Sequence, residues 1–238
     1  MPQSVRLAFA TLLGAALLSA SAHASLVDVQ FGATAPTAST RYSGGAVVGG
    51  AGDQWNYFQS TTGTAALNAS TGSASGLSIT FSAPHTYGLP YANSAFYGTQ
   101  YINLMQGFLY TLDSTPLQIT ISGLSASQGF SVYLYGQSDV SSGSRYGETF
   151  SANGVSATVL DSASTSTFVS GTNFVELSGA ATAAGTVVIT GMLAAGRTEA
   201  DLNGLQLVTA PVPEPASLAL LGAGIVGIAA ARRRRAAA

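Results

Sequence analysis

The segment ETFSANGVSATVL, residues 148–160, carries the strongest local fold signal in this chain. Asn153 and Gly154 stand between two short runs that are rich in strand-forming residues. A two-residue hairpin turn requires positive φ at both central positions, and asparagine followed by glycine adopts this conformation readily. The segment therefore predicts two antiparallel strands joined by a tight turn.

A period of two recurs elsewhere in the chain. LQITIS begins at Leu117 and FSVYLY at Phe130, and apolar residues occupy alternate positions in both. This period predicts strands with one buried face and one face that is wet or covered by a loop. Further predicted strands span residues 26–31, 54–59, 77–81, 173–177, 186–190 and 205–208. Residues 91–109 alternate poorly, which predicts a long loop or a short helix.

The organisation of these segments predicts an all-β fold. Short strands are separated by turns rich in glycine, serine and asparagine, and no convincing amphipathic helix is present. This pattern favours an antiparallel β-sandwich over residues 25–210, with a jelly-roll as the expected topology. No repeat of fixed period is visible, which argues against a solenoid or a propeller.

Charge and cysteine content exclude two classes of protein. The body has three arginines, no lysine and nine acidic residues, which gives a formal charge of −6. Nucleic-acid binding requires clustered positive charge, so we expect no nucleic-acid partner. The chain has no cysteine, so a disulfide framework is excluded and stability must come from packing.

The amino terminus has the three parts of a secretory signal peptide. Arg6 precedes an apolar run over residues 7–18, and small residues follow at Ala22 and Ala24. This order predicts a signal peptide at residues 1–24, cleaved after Ala24. The alternative is a membrane helix that stays in place, but the apolar run is shorter than the roughly 20 residues of a typical span.

The carboxyl terminus combines an apolar segment with a cluster of positive charge. Sixteen uncharged residues, 216–231, precede Arg232, Arg233, Arg234 and Arg235. Arginine-rich flanks stay on the cytoplasmic side, so the pattern predicts a transmembrane helix that stops export. Its length of roughly 24 Å is short for a core of about 30 Å and requires membrane thinning or snorkelling. A buried core helix is the alternative, but four consecutive arginines at its end argue against it, because arginine is rarely buried in a protein core.

The tail resembles the PEP-CTERM sorting signal. VPEPAS begins at Val212, and Pro213, Glu214 and Pro215 match the tripeptide that names the signal. The resemblance implies export by a Gram-negative bacterium and transient anchoring in the inner membrane. It also implies processing by the membrane enzyme exosortase, usually in species that make exopolysaccharide. The two prolines resist helix formation, so they keep the cleavage region extended.

The body resembles galactose-binding-like jelly-roll domains. The resemblance rests on a succession of short pieces: VQFG (29–32), QWNYF (54–58), ITISGL (119–124), FSVYLYG (130–136), FSANG (150–154), GTNFVEL (171–177), GTVVITG (185–191) and LNGLQLV (202–208). It implies a non-catalytic module that contacts carbohydrate or matrix. Together, the two resemblances indicate a cell-surface or matrix protein associated with exopolysaccharide or biofilm.

Two candidate ligand sites follow from the body sequence. Trp55, Tyr57, Tyr133 and Tyr135 could form an aromatic platform with polar edges that contacts sugars, although core packing explains the same residues. EADLNG (199–204) and GDQWN (52–56) place oxygen ligands close together in glycine-containing loops, which suits calcium. Asp201 and Asn203 are the candidate ligands. The full calcium-loop spacing is missing, and no other cofactor is expected.

Catalytic signals are weak. His85 is the one histidine of the body, between prolines where a surface loop is expected, and no partners stand at metal-ligand spacing. No nucleophile elbow, phosphate loop or dinucleotide fingerprint occurs. Glu148 and Glu176 could form the carboxylate pair of a secreted polysaccharide hydrolase, which is the alternative to a non-enzyme. An ice-binding protein is a further alternative, but its threonine array should be regular, and the threonines here follow no repeat.

Overall fold

Residues 25–32, 41–88, 95–138, 145–160 and 165–211 are described by the computed structural model. The elements are β1 (Ser25–Phe31), β2 (Trp55–Phe58), β3 (Thr62–Asn68), β4 (Ala74–Ser82), β5 (His85–Gly88), α1 (Ile102–Met105), β6 (Gly107–Thr111), β7 (Leu117–Ser122), β8 (Gly129–Tyr135), β9 (Glu148–Ala152), β10 (Val155–Val159), β11 (Phe174–Ala180), β12 (Thr186–Leu193), β13 (Ala200–Leu202) and β14 (Gly204–Thr209). The predicted signal peptide with Ala22 and Ala24 lies outside these residues. So do Pro213, Glu214, Pro215, the predicted helix 216–231 and Arg232–Arg235.

The strands of the described residues form three sheets. A five-stranded sheet has the order β11-β8-β14-β1-β2, a six-stranded sheet has the order β10-β9-β12-β7-β4-β3, and a three-stranded sheet has the order β13-β6-β5. This arrangement confirms the predicted all-β class. The expected uniform antiparallel pairing is wrong at one place, because β1 and β2 are parallel. Parallel neighbours need a long connection, and β1 ends at Phe31 whereas β2 begins only at Trp55.

The main core lies between the two large sheets. Alternate residues of both sheets point into it, for example Val29 and Leu207 from the five-stranded sheet and Ile119 and Ile189 from the six-stranded sheet. Full burial of one such side chain contributes roughly 1.5–3 kcal/mol. Ala24–Ala210 form one compact unit that contains this whole core, so the body is expected to fold without the termini.

The predicted hairpin is confirmed. Asn153 and Gly154 have φ angles of 46° and 89° and join β9 to β10. The asparagine side chain also ties the turn to neighbouring strands, because its amide nitrogen donates to the Ala180 carbonyl at 2.9 Å and its oxygen accepts from the Val188 backbone at 2.8 Å. A further bond from its amide nitrogen reaches the Thr186 carbonyl at 3.2 Å, so asparagine supplies both the backbone conformation and three contacts outside the hairpin.

The sequence predicted most of the described strands and missed four. The eight strands predicted outside the hairpin correspond to β1, β2, β4, β7, β8, β11, β12 and β14, whereas β3, β5, β6 and β13 were missed. Residues 91–109 contain the short helix α1 but also most of β6, which is buried on nearly all sides and lacks alternation. His85 begins the strand β5 and does not lie in a loop, although it is exposed as expected.

No helix in the described ranges is long and apolar enough to cross a membrane.

Candidate functional site

Two of the four predicted sugar-contacting aromatics lie in a second hydrophobic cluster. The cluster is formed on the face of the five-stranded sheet that points away from the main core, by Tyr42, Trp55, Phe96, Leu104, Met105 and Tyr135. Trp55 is 5% exposed and Tyr135 is fully buried. The predicted platform is therefore corrected at these two positions, because Tyr42 packs edge-on against Trp55 at 5.4 Å and Phe168 covers Tyr135 at 5.0 Å between ring centroids.

The other two predicted aromatics stay partly accessible. Tyr57 lines a polar pocket of about 240 Å³ with Arg41, Gln54, Asn56 and Asn68 among its neighbours. Burial raises the pKa of the Tyr57 phenol, and the charge of Arg41 opposes this shift.

Tyr133 lies on β8 opposite Glu176 of β11. Burial and the adjacent Glu176 carboxylate raise the pKa of Tyr133. Tyr133 packs against the second cluster but stays partly exposed, as Tyr57 does, whereas Trp55 and Tyr135 are buried. The four side chains therefore do not form one exposed platform.

A glycine-rich connection over residues 43–53 covers part of this sheet face. The Val47 backbone nitrogen donates to the Tyr135 hydroxyl at 3.1 Å, and the indole nitrogen of Trp55 donates to the Gly44 carbonyl at 2.9 Å. A Cβ on Gly45 would lie 2.7 Å from the carbonyl carbon of Gly49, so the connection folds back on itself more tightly than a side chain allows. Glycine is required there because two backbone segments are in contact.

A buried polar network lies beneath this connection. The Gln206 amide nitrogen donates to Asp28 Oδ1 at 2.7 Å and to the Val48 carbonyl at 3.1 Å. The Tyr135 hydroxyl donates to the Gln206 amide oxygen, which also accepts from the Val48 backbone at 3.2 Å. This polar network, formed by Asp28, Gln206, Tyr135 and the Val47–Val48 backbone, fixes the connection on the sheet.

Asp28 is the acidic residue of the polar network. It is fully buried, and its Oδ2 atom has no hydrogen-bond partner within the described ranges. Burial raises the pKa of Asp28 to about 7, the Gln206 hydrogen bond lowers it, and the charge of Asp53 raises it further. Its protonation therefore changes near neutral pH.

The two candidate calcium ligands are buried, Asp201 in the middle of β13 and Asn203 just after it. The Asn203 side-chain oxygen accepts from the Gln137 backbone at 2.7 Å, and its nitrogen donates to the Met105 and Gly107 carbonyls. The amide thus connects three segments of backbone. Among the described residues, no group of three or more histidine, aspartate or glutamate side chains could hold a metal ion. Calcium at Asp201 and Asn203 stays a prediction.

The proposed hydrolase carboxylates do not share a cleft. Glu148 lies on β9 with Phe150 and Ala152 on its own side, which faces the main core, and it is fully buried. Glu176 is exposed on β11 between Val175 and Leu177, whose side chains point into the core. Glu176 therefore points outward from the five-stranded sheet, whereas Glu148 points inward from the six-stranded sheet.

An aromatic groove that sequence analysis missed lies on the three-stranded sheet. It has a volume of about 220 Å³ and is lined by Tyr87, Phe108, Tyr110, Leu112, Arg145 and Glu199. A signal was present, because tyrosine and phenylalanine alternate with other residues in HTYG (85–88) and GFLYT (107–111). Nothing in either segment indicates that the two strands pair, so the groove could not be inferred from them.

The outward face of the six-stranded sheet is uncharged. Thr64 pairs with Thr80, Thr80 with Thr120, and Thr120 with Val188, so that three threonines stand side by side on adjacent strands. A second row runs through Thr62, Ser82, Gln118, Thr190, Ser151 and Ser156. The threonines are thus ordered across the strands although they follow no repeat along the chain.

Comparison with known families identifies the tail. Residues 211–235 match the PEP-CTERM protein-sorting motif, which confirms the predicted signal. The motif implies an exported surface protein that is sorted by exosortase. No match was found among curated proteins.

Solved structures with a similar fold come from plant cell-surface proteins. The plant receptor-like kinase ANX2 gives a TM-score of 0.50 at 9% identity, over 79% of this chain and 49% of that chain. The ANX2 ectodomain from Arabidopsis thaliana gives 0.51 at 9% over 79% and 51%, and the ANXUR2 extracellular domain from the same plant gives 0.50 at 9% over 79% and 50%. This chain spans about half the length of those chains. The likeness supports the predicted sandwich fold and carries no statement about ligands.

Proposed function

We propose that this chain is an exosortase-sorted surface or matrix protein of a Gram-negative bacterium, non-catalytic and associated with exopolysaccharide. The signal peptide at residues 1–24 directs export of a jelly-roll-like body. The helix at residues 216–231 holds the chain in the inner membrane, and Arg232–Arg235 stop its transfer. Exosortase then cuts near Pro213–Pro215 and releases the body to the surface or the matrix.

The match of residues 211–235 to the sorting motif carries this proposal. The non-catalytic assignment is supported by the positions of Glu148 and Glu176. Glu148 points into the main core, whereas Glu176 points outward from the other sheet. The association with polysaccharide is supported by the partly exposed tyrosines of the body, whose rings can pack on sugar rings.

The sorting step predicts a change of mass on mutation of the tripeptide. In a Gram-negative host that carries an exosortase, the wild-type chain should lose its tail, whereas replacement of Pro213, Glu214 and Pro215 by alanine should leave most of the chain uncut in the membrane fraction. Intact-mass measurement of the membrane and medium fractions detects the difference. Pro36→Ala, outside the matched residues 211–235, is the control and should be cut normally. Normal cutting of the triple variant would contradict the proposal.

Binding to an ice surface is a second candidate function, favoured by the threonine row on the six-stranded sheet. Neighbouring strands lie about 4.8 Å apart, so the three threonines of this row follow one another at a regular spacing across the sheet. Sheet twist of about 20–25° per strand limits a flat patch to a few strands, which matches the extent of Thr64, Thr80 and Thr120.

The ice-binding candidate predicts inhibition of ice recrystallisation by the purified body. Thr80→Lys places a charge in the middle of the threonine row and should abolish inhibition. Tyr97→Lys is the control, because Tyr97 is exposed next to Phe96 of the second cluster, on the other side of the sandwich. Absence of inhibition by the wild-type body would remove this candidate and leave the sorting proposal untouched.

A further inference from the structure

We propose that the aromatic groove on the three-stranded sheet is a binding site for a neutral polysaccharide, with Tyr87 as the ring on which a sugar stacks. This inference rests on the proposed association with exopolysaccharide and assigns it to one surface. It also replaces the predicted platform around Trp55, whose ring is packed inside the second cluster.

The groove has an ordered aromatic floor. The register of β5 and β6 pairs Tyr87 with Phe108 and His85 with Tyr110, so all four rings lie on one side of the sheet. Ring centroids are 5.5 Å apart for Tyr87 and Phe108, 5.7 Å for Phe108 and Tyr110, and 4.9 Å for His85 and Tyr110. Each ring is thus supported by its neighbour, which holds the row in place before a ligand arrives.

The accessible part of the groove includes apolar surface beside the exposed imidazole of His85. Phe108 is buried, but Tyr87 is 38% exposed and Leu112, which follows β6, is 50% exposed. The faces of sugar rings carry C–H groups that pack on aromatic rings, while the tyrosine hydroxyl remains available for hydrogen bonds. An exposed ring beside an exposed leucine therefore offers a surface that water solvates poorly and a sugar ring covers well.

The rim of the groove supplies both a hydrogen-bond donor and a hydrogen-bond acceptor. Arg145 and Glu199 come from distant parts of the chain and are brought together by backbone contacts, since the Thr198 nitrogen donates to the Arg145 carbonyl at 2.9 Å. The Arg145 guanidinium lies 5.8 Å from the Tyr146 ring centroid, which restricts its position. Guanidinium donates and carboxylate accepts, so together they can pair with sugar hydroxyls, which do both.

Charge selects a neutral ligand over an acidic one. The groove carries one positive and one negative side chain, while the body carries a formal charge of −6. An anionic polymer would be repelled by the body without a compensating basic surface. A neutral polysaccharide meets no such repulsion, and its binding should not depend strongly on salt.

The size of the groove indicates contact with part of a long chain. Its volume of about 220 Å³ is below the roughly 300–1,000 Å³ of pockets that enclose a whole small molecule. A polysaccharide can place one ring on Tyr87 and continue past the groove in both directions. Weak contact at one ring is sufficient for retention in a matrix, because many copies of the ligand lie on one polymer.

The test is binding of the body, residues 25–211, to neutral polysaccharides by affinity electrophoresis. The gels contain a β-glucan, a galactan or a mannan, and a polyuronate serves as the acidic comparison. We expect retardation by at least one neutral polymer at both low and high salt. Tyr87→Ala should weaken it about tenfold, a loss of about 1.4 kcal/mol, whereas Tyr87→Phe, which keeps the ring, should retain binding.

Two controls separate the groove from other surfaces. Tyr97→Ala makes the same chemical change at a tyrosine that is 63% exposed and does not line the groove, so it should bind as the wild type does. Arg41→Ala tests the pocket beside Tyr57. If binding survives Tyr87→Ala, or is lost in Arg41→Ala, the aromatic groove is not the binding site. The proposed association with polysaccharide would still hold. If the body binds only the polyuronate, the ligand is not a neutral polysaccharide. If it binds no polymer, the proposed association with polysaccharide is overturned as well.

Discussion

Raising the pH from about 4 to about 8 should destabilise the body through Asp28. The carboxyl is buried, and its pKa in the folded state is raised to about 7 from an ordinary value of 3.8. Between these values the folded state holds a proton that the unfolded state has released, so the free energy of unfolding falls as the pH rises. Stabilisation is complete below about pH 4 and lost above about pH 7, a change on the order of 4 kcal/mol.

The Asp28→Asn variant isolates this effect. Its amide keeps an oxygen that can accept from Gln206 Nε2 but has no charge to bury. Urea denaturation at several pH values between 4 and 8 should show that the variant gains stability relative to the wild type as the pH rises. Asp113→Asn is the control, because Asp113 is exposed and the Thr115 backbone hydrogen bond lowers its pKa. Parallel stability profiles for the wild type and Asp28→Asn would show that the buried carboxyl does not titrate as expected.

Replacement of Trp55 by alanine should lower the free energy of unfolding by about 3–5 kcal/mol. The ring is buried between Tyr42 and Tyr135, so its removal leaves a cavity in the second cluster. The Gly44 carbonyl also loses the indole N–H that it accepts. Because this carbonyl belongs to the glycine-rich connection, the loss should loosen the cover of the sheet as well as the cluster.

Denaturant titration of Trp55→Ala and Trp55→Phe separates packing from the hydrogen bond. The phenylalanine variant fills part of the cavity without the N–H donor and should lose less than half as much stability. Tyr97→Ala, at an exposed site, should change stability by less than about 0.5 kcal/mol. A Trp55→Ala variant as stable as the wild type would be incompatible with a buried ring. The expected destabilisation also means that this variant cannot report on ligand binding alone.

Local sequence rules predicted the parts of the fold that depend on neighbouring residues. Asn153 and Gly154 specify a turn by their own backbone preferences, and the alternation from Leu117 specifies a strand with one buried face. The same rules missed β6, because a strand buried on both faces has no period of two. They also misplaced His85, since proline neighbours suggest a loop but do not prevent a short strand between them.

The candidate site was the least predictable part, because it depends on contacts between distant residues. Trp55 and Tyr135 were recognised as aromatic, but their burial results from a connection that folds over the sheet and is fixed by Gln206, 158 positions from Val48. Tyr87 and Tyr110 drew no attention individually. Their pairing across β5 and β6 makes the aromatic groove, and Arg145 and Glu199 reach its rim from two other segments.

The amino-acid sequence alone established the all-β class, the hairpin, the acidic body without cysteine and the sorting motif of the tail. Each of these is encoded within a short window, by backbone preference, hydrophobic period or a contiguous motif. Strand order, register and the covering of the five-stranded sheet were set by tertiary structure. They placed Trp55 in the interior, aligned threonines from three strands and left Tyr87 exposed, because burial and cross-strand neighbours depend on which distant segments pack together.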